Sequence, residues 1–202
     1  ERIWENSPKQ LLPQVLVLTG RILRRWSRDP ATLVQSLVMP AGFLVALDIV
    51  LGDVLEQVTG ASGLYSQVPL VALVGGMTGA IIGAVGIMRE REVGLLSRFW
   101  VVPVHRAAGL LARLLADFIR IVLITLGVLC VGLALGFRFE QGALAAVAWV
   151  FMPALFGVAL SAAVLTLALF SANTIVPQAT EILIAMLMFF SIGFVPLDQY
   201  PE

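Results

Sequence analysis

The stretch VPLVALVGGMTGAIIGAVGIMRERE, residues 68–92, decides the fold. From Val68 to Met88 it contains no ionisable side chain. A helix rises about 1.5 Å per residue, so this run is long enough to cross the roughly 30 Å hydrocarbon core of a bilayer. A helix on the surface of a soluble protein keeps one polar face, whereas this one is apolar all round. The run stops abruptly at Arg89-Glu90-Arg91-Glu92. Four ionised side chains in a row are costly in hydrocarbon and belong outside it. The segment therefore reads as a transmembrane helix with a charged extension.

Composition extends this reading to the whole chain. Apolar residues make up 59% and charged residues 13%, with a mean hydropathy of +0.97. A soluble domain carries about 25% charged residues. A core of this size has no room to hide so much apolar surface from water, and the bilayer is the solvent that accepts it. The formal net charge is zero, so no global basic field points to nucleic acid. The single cysteine, Cys130, lies in an apolar run without a disulfide or metal partner and reads as core or lipid-facing packing.

Upstream of the deciding stretch, Val15, Leu18, Ile22 and Trp26 recur at helical spacing between Leu11 and Arg28. Arg21, Arg24, Arg25 and Arg28 fill much of the remainder. This is a basic amphipathic helix suited to an anionic membrane surface, and residues 1–30 read as an N-terminal interfacial element. The alternative is a helix on a soluble surface, which the adjoining span disfavours. Asp29 is placed to cap the next helix, and Pro30 fits its first position. Ala31 to Leu51 reads as the first span, with a kink at Pro40 and one charge, Asp48, near its far end. Asp53, Glu56 and the stretch Gly60 to Ser66 form a polar connection into the second span.

Downstream, Arg113, Asp117 and Arg120 share one helical face, where Arg113–Asp117 and Asp117–Arg120 are spaced to pair. An arginine at the bilayer centre costs about 2.5–3.5 kcal/mol on insertion scales, which places this triplet at the interface or cytosolic end of a third helix. The apolar part of that helix runs from Ile121 to Phe137. Arg138, Glu140 and Gln141 break the pattern. A fourth, uncharged run from Ala143 to Phe170 exceeds one straight crossing and must tilt or kink at Pro153. After a break at Asn173 to Gln178, a fifth span is expected from Thr180 to Leu197, with Glu181 at its start. Residues 31–202 thus read as one transmembrane domain. The chain opens on Glu1 without a signal-peptide pattern, as expected of a sequence that begins inside a longer one.

Charge asymmetry sets the expected orientation. With the N-terminus in the cytoplasm, every Lys and Arg except Arg138 falls on the inner side. That satisfies the positive-inside rule, and the opposite orientation would invert it.

No soluble catalytic module is visible. The chain lacks a G-x-x-x-x-G-K-[ST] phosphate loop, an H-E-x-x-H motif and any cysteine–histidine cluster, and its one histidine cannot anchor a convincing triad. The informative segment is MREREVGLLSRFWVVPVHRAAGLLARLLAD, residues 88–117. Its charges extend the second helix, Gly94 and Pro103 permit turns, and Leu95, Leu96, Phe99 and Trp100 give a short amphipathic element. Such a knob fits a groove on a cytosolic partner. It could equally be a salt-bridged loop that anchors the helix.

The segment resembles the first cytoplasmic loop of ABC-2 transporter permeases, whose pattern is E-R-E-x-G-x-L-x-x-L/F-x-x-x-P-V-x-R. Here it reads Arg89-Glu90-Arg91-Glu92-Val93-Gly94-Leu95-Leu96, then Arg98-Phe99, then Pro103-Val104-His105-Arg106. The basic helix before Asp29-Pro30 is similar to the same family, as is the tail Gly193-Phe194-Val195-Pro196-Leu197 with Tyr200-Pro201. Ser62-Gly63-Leu64-Tyr65-Ser66, Pro103-Val104-His105-Arg106 and Gly136-Phe137-Arg138-Phe139 resemble the actinobacterial daunorubicin/doxorubicin-resistance type, some of which are implicated in exporting phthiocerol-type lipids.

The resemblance implies an all-α fold of six transmembrane helices, five of them visible here and the sixth absent. It implies a permease that moves a hydrophobic drug or lipid outward across a bacterial inner membrane. Its implied partners are a second permease subunit, identical or related, and separate ATPase subunits that hold the ATP and Mg; the chain itself is noncatalytic and needs no cofactor. Arg89, Glu90, Arg91, Glu92, Gly94, Leu95, Arg98, Pro103, His105 and Arg106 are then the ATPase-coupling loop. Arg21, Arg24, Arg25, Trp26 and Arg28 belong to the helix at the inner interface, which meets membrane lipids.

Other features have plainer readings beside functional ones. Gly75, Gly79 and Gly83 form a small-residue stripe that suits helix packing or a cargo path, and Gly132 with Gly136 repeats the spacing. Asp48 and Glu181 are carboxylates for ion coupling or water-reached span ends. His105 is a pH sensor or a loop contact. Trp26 and Trp100 fit an interfacial aromatic belt. The alternatives to an ABC permease are an ion-coupled secondary transporter and a noncatalytic membrane scaffold. The first calls for inverted repeats and midplane charges or broken helices; no clear repeat and no central ionisable residue stand out in the sequence. The second calls for no ATP dependence and no cargo.

Overall fold

The computed structural model describes residues 8–59, 63–92, 106–138, 142–170, 178–180, 182, 185 and 186. Every long element among them is a helix. α1 spans Pro8–Ser27. α2, Pro30–Leu33, passes through a π-helical stretch, Val34–Val38, into α3, Met39–Thr59. α4 spans Leu64–Glu92, α5 Arg106–Leu135 and α6 Gly142–Phe170.

The junction after α1 is built as the sequence indicates. Asp29 is extended at φ −100°, and its carboxylate accepts from the Thr32 backbone N–H at 3.4 Å and the Thr32 hydroxyl at 2.6 Å. That satisfies donors the first helical turn leaves open. The π-helical stretch ends just before Pro40. Proline lacks an N–H, and its ring collides with the carbonyl four residues back, here Ser36. One wide turn over Val34–Val38 absorbs that conflict locally.

Among the described residues, four stretches are long and apolar enough to span a membrane: Pro30–Gln57, Leu64–Met88, Ala107–Ala134 and Ala146–Leu167. Their burial differs sharply. The window in Leu64–Met88 is 61% buried inside the protein, and that in Pro30–Gln57 only 11%. α4 is therefore the central helix, packed against α3, α5 and α6, which explains why it needs no polar face. α3 turns Met39, Ile49 and Val50 outward. The fifth span expected from Thr180 to Leu197 falls mostly outside the described residues.

Two helix bounds differ from the sequence reading. α4 begins at Leu64, inside the expected polar connection, because Gly63 accepts from the Ser66 and Gln67 backbone N–H groups and starts the helix early. α5 begins at Arg106, ahead of Arg113, Asp117 and Arg120, which lie on this helix as the sequence reading placed them.

Close glycine contacts bring α4 against its neighbours. A Cβ on Gly75 would lie 2.9 Å from Ile124, and one on Gly79 3.2 Å from Ile121, both on α5. A Cβ on Gly157 of α6 would lie 3.2 Å from the Gly76 carbonyl oxygen. The stripe thus serves helix packing on the side facing α5, and Gly76–Gly157 sets the approach of α6. Gly136 does not belong to such a stripe. It has φ +107°, and nothing lies within 4 Å of an added Cβ. It ends α5: the Gly136 N–H donates to Leu133 O, and the Phe137 N–H to Gly132 O at 2.9 Å. That turn seats Phe137 between Tyr65 and Trp149, at ring separations of 5.3 and 5.4 Å, and closes the apolar end of the bundle.

Candidate functional site

The polar chemistry gathers at the other end, where α1 meets the bundle. α1 lies against the first half of α5: Val15 packs with Ala108 and Ala112. The Thr19 hydroxyl, lacking a polar outlet in that contact, donates to Val15 O at 2.7 Å and reaches Ala112 O at 3.2 Å. The helix read from sequence as interfacial is thus docked on α5 through its apolar face.

Docking α1 there brings Arg25 to Glu90 at the end of α4, at 3.5 Å. The other carboxylate oxygen of Glu90 takes Arg113 of α5. Glu90 is 7% exposed and tied to both neighbours, so one carboxylate joins α1, α4 and α5. This clamp sits where the polypeptide leaves α4 and shortly after it enters α5. Arg113 therefore pairs across helices with Glu90 and not along its own helix with Asp117, as its spacing had allowed.

Asp117 has different partners. It accepts from the Ser161 hydroxyl on α6 and pairs with Arg120 at 3.0 Å. Arg120 also donates to the Gly79 carbonyl of α4 at 3.2 Å. Asp117 and Arg120 are 2% and 3% exposed. Both sit inside the bundle, linking α4, α5 and α6, a burial that their expected place at the interface or cytosolic end of the third helix had not indicated. Pairing and hydrogen bonding replace the water they would otherwise need. Gly83 makes room, since a Cβ there would lie 2.6 Å from an Asp117 carboxylate oxygen. The Arg120 guanidinium stands 5.8 Å from the Trp26 ring centroid, which ties α1 into the same cluster.

Between the clamp and this inner network lies a cavity of about 380 Å³, bordered by α1, α2 and its extension, α4 and α5. Arg21, Arg25 and Trp26, three of the residues expected in the interfacial helix, line it. Arg24 and Arg28 are exposed. Of the expected coupling loop, Glu90 alone has a described side chain. Arg89, Arg91 and Glu92 end α4 and Arg106 opens α5, but their side chains lie outside the described residues, as do Gly94, Leu95, Arg98, Pro103 and His105 entirely. Glu181 is also outside them. Asp48 is half-buried on α3, and Cys130 is exposed on α5. No group of three or more metal-ligating side chains occurs among the described residues.

Sequence reasoning missed Ser161 and Gly157. Their i,i+4 spacing was the available signal, a second small-residue pair inside an uncharged span.

Four spanning-length helices around a buried ionic cluster define a multi-pass helical membrane protein. The sequence profile of the ABC-2 type transporter family matches residues 13–202, and the chain belongs to that family. It is 46% identical over 197 residues to the probable doxorubicin resistance ABC transporter permease protein DrrC of Mycobacterium tuberculosis, in strains CDC 1551 and H37Rv, covering 98% of this chain and 71% of the relative. No solved structure matches it significantly. The chain is a membrane permease subunit of an ABC exporter.

Proposed function

We propose that this permease moves a hydrophobic drug or lipid outward across a bacterial inner membrane, driven by separate ATPase subunits that bind ATP and Mg. Two permease chains, identical or related, form the transmembrane path, with the N-terminus of each in the cytoplasm. Residues 89–106 meet the ATPase, and α1 lies at the inner membrane surface.

The observation that carries this reading is the Glu90 clamp. Arg25, Glu90 and Arg113 join three helices at the base of the proposed coupling loop. A push on that loop moves the ends of α4 and α5 together and draws α1 with them. The inner network then passes the displacement to α6 through Asp117 and Ser161. ATP shifts this equilibrium only if the ATPase dimer it closes favours one helix arrangement over the other. Resistance to doxorubicin, named for the mycobacterial relative, supports a drug as cargo. The uncharged runs Val68 to Met88 and Ala143 to Phe170 suit such a cargo, as they would also suit plain packing.

The test begins with the full-length permease purified from its native membrane under mild extraction, with mass spectrometry of what accompanies it. A stoichiometric subunit carrying a phosphate loop supports the proposal. Its repeated absence with an intact permease would shift the reading to a secondary transporter or scaffold. In the recovered complex, Glu90→Lys together with Glu92→Lys should weaken ATPase assembly or cargo-stimulated hydrolysis while leaving membrane insertion intact. Normal stimulated hydrolysis by the double reversal would remove the coupling assignment.

A further inference from the structure

α1 presents two rows of side chains, and the bundle uses one of them. Val15, Thr19 and Trp26 are buried against it. Leu12, Leu16, Gly20 and Arg24, with Arg28 one residue past the helix end, recur every four residues on another side, and all five are exposed. Residues four apart are neighbours on a helix surface, so they form a continuous row. It is apolar at its start and basic at its end. Leu12 is 68% exposed and Leu16 56%, and nothing lies within 4 Å of a Cβ added at Gly20. Arg24 and Arg28 bond through their backbones, Arg24 O accepting from the Ser27 hydroxyl and the Arg28 N–H donating to Arg25 O. Neither guanidinium has an ion pair among the described residues.

The place of the row in the chain indicates what meets it. Its basic end adjoins Pro30, where the first span begins. That span is the least buried of the four and turns Val34, Val38 and Met39 outward soon after its start. Hydrocarbon therefore follows closely on Arg28, which sets the two arginines at headgroup level. Docking on α5 has meanwhile taken Val15 and its neighbours away from lipid, so a bilayer contact of α1 has to use the exposed row. Arginines at the phosphates with leucines in the acyl boundary are the pattern of a helix lying in an anionic interface. A soluble partner covering the leucines would also have to bring acids to the arginines, whereas one anionic lipid supplies both contacts.

We propose that this row binds anionic phospholipid of the inner leaflet, Arg24 and Arg28 holding the phosphate and Leu12 and Leu16 lying against the upper acyl carbons. Gly20, between the two halves, leaves the helix backbone open to the glycerol region. The inference rests on the proposed place of α1 at the inner membrane surface. Cargo and ATPase coupling do not enter it.

The test uses the full-length permease in nanodiscs, with Cys130→Ala and a bimane fluorophore on Gly20→Cys. Brominated phosphatidylglycerol and brominated phosphatidylcholine are compared as quenchers over a range of mole fractions. Phosphatidylglycerol should be preferred, by up to about thirtyfold. Arg24→Gln and Arg28→Gln should each lower that preference about fivefold, the equivalent of about 1 kcal/mol for one basic residue at an anionic surface, and together should abolish it. Raising salt to about 1 M, where the Debye length falls to about 3 Å, should reduce the preference with both arginines in place. Leu12→Ser with Leu16→Ser should weaken quenching by both lipids alike. Equal quenching by the two lipids, indifferent to the arginines and to salt, would overturn the lipid recognition while leaving α1 at the membrane surface. No quenching by either lipid would overturn that placement as well and give the row to water or to a protein partner.

Discussion

Replacing Asp117 with alanine is the most informative perturbation of the inner network. Arg120 is 3% exposed and its carboxylate partner lies 3.0 Å away. Removing the carboxylate leaves a guanidinium inside the bundle with only the Gly79 carbonyl and the Trp26 ring for company. Breaking one half of a buried pair costs about 3–5 kcal/mol, mostly from the stranded charge. A single interhelical hydrogen bond in a membrane protein averages about 0.6 kcal/mol and reaches about 1.7. Ser161→Ala, which deletes only the hydroxyl donor to Asp117, should stay within that smaller range. The two effects are therefore separable by size. Asp117→Ala combined with Arg120→Leu removes both charges and should recover about 2 kcal/mol or more of the Asp117→Ala loss, since an apolar pair often replaces a buried ion pair at little cost. The assay is detergent-titrated unfolding of the full-length protein, followed by tryptophan fluorescence, for the two charge variants, their double and Ser161→Ala. An Asp117→Ala loss under about 1 kcal/mol, or a double variant equal to the sum of the singles, would refute the buried-pair reasoning.

The same α4 face supplies a matched glycine comparison. Gly83→Ala drives a methyl to within 2.6 Å of the Asp117 carboxylate and should cost about 1–3 kcal/mol, whereas Gly86→Ala meets nothing within 4 Å and should be neutral or stabilise by up to about 1 kcal/mol in the same unfolding assay. Gly136→Ala, at φ +107° in the turn ending α5, should cost about 1 kcal/mol from backbone strain without any steric contact, read as a lowered Tm. Reporter fusions at Ala61 and Gln141 should read outside and one at Pro103 inside; the reverse pattern would overturn the proposed orientation.

The positions of the spans were legible because bilayer thickness imposes a length on apolar runs. Val68 to Met88 and Ala143 to Phe170 needed no partner to be recognised. The Asp29-Pro30 cap was legible for a similar reason, since its hydrogen bonds close within a single turn. The charged cluster was only half legible. Helical spacing put Arg113, Asp117 and Arg120 on one face, and Asp117–Arg120 is indeed a pair. The same spacing allowed Arg113–Asp117, yet Arg113 turns to Glu90 on another helix.

What the sequence determined by itself was therefore local: which segments are helical, which suit a membrane, where one helix is capped, and through its loop motif the family. Tertiary structure alone decided which helix is central, which glycines are contacts, and how Glu90, Asp117 and Ser161 are partnered. The physical reason is that apolarity and capping act over a few turns of one helix. A side chain buried between helices takes whichever charge or hydroxyl the packing delivers, however far away in the chain it lies.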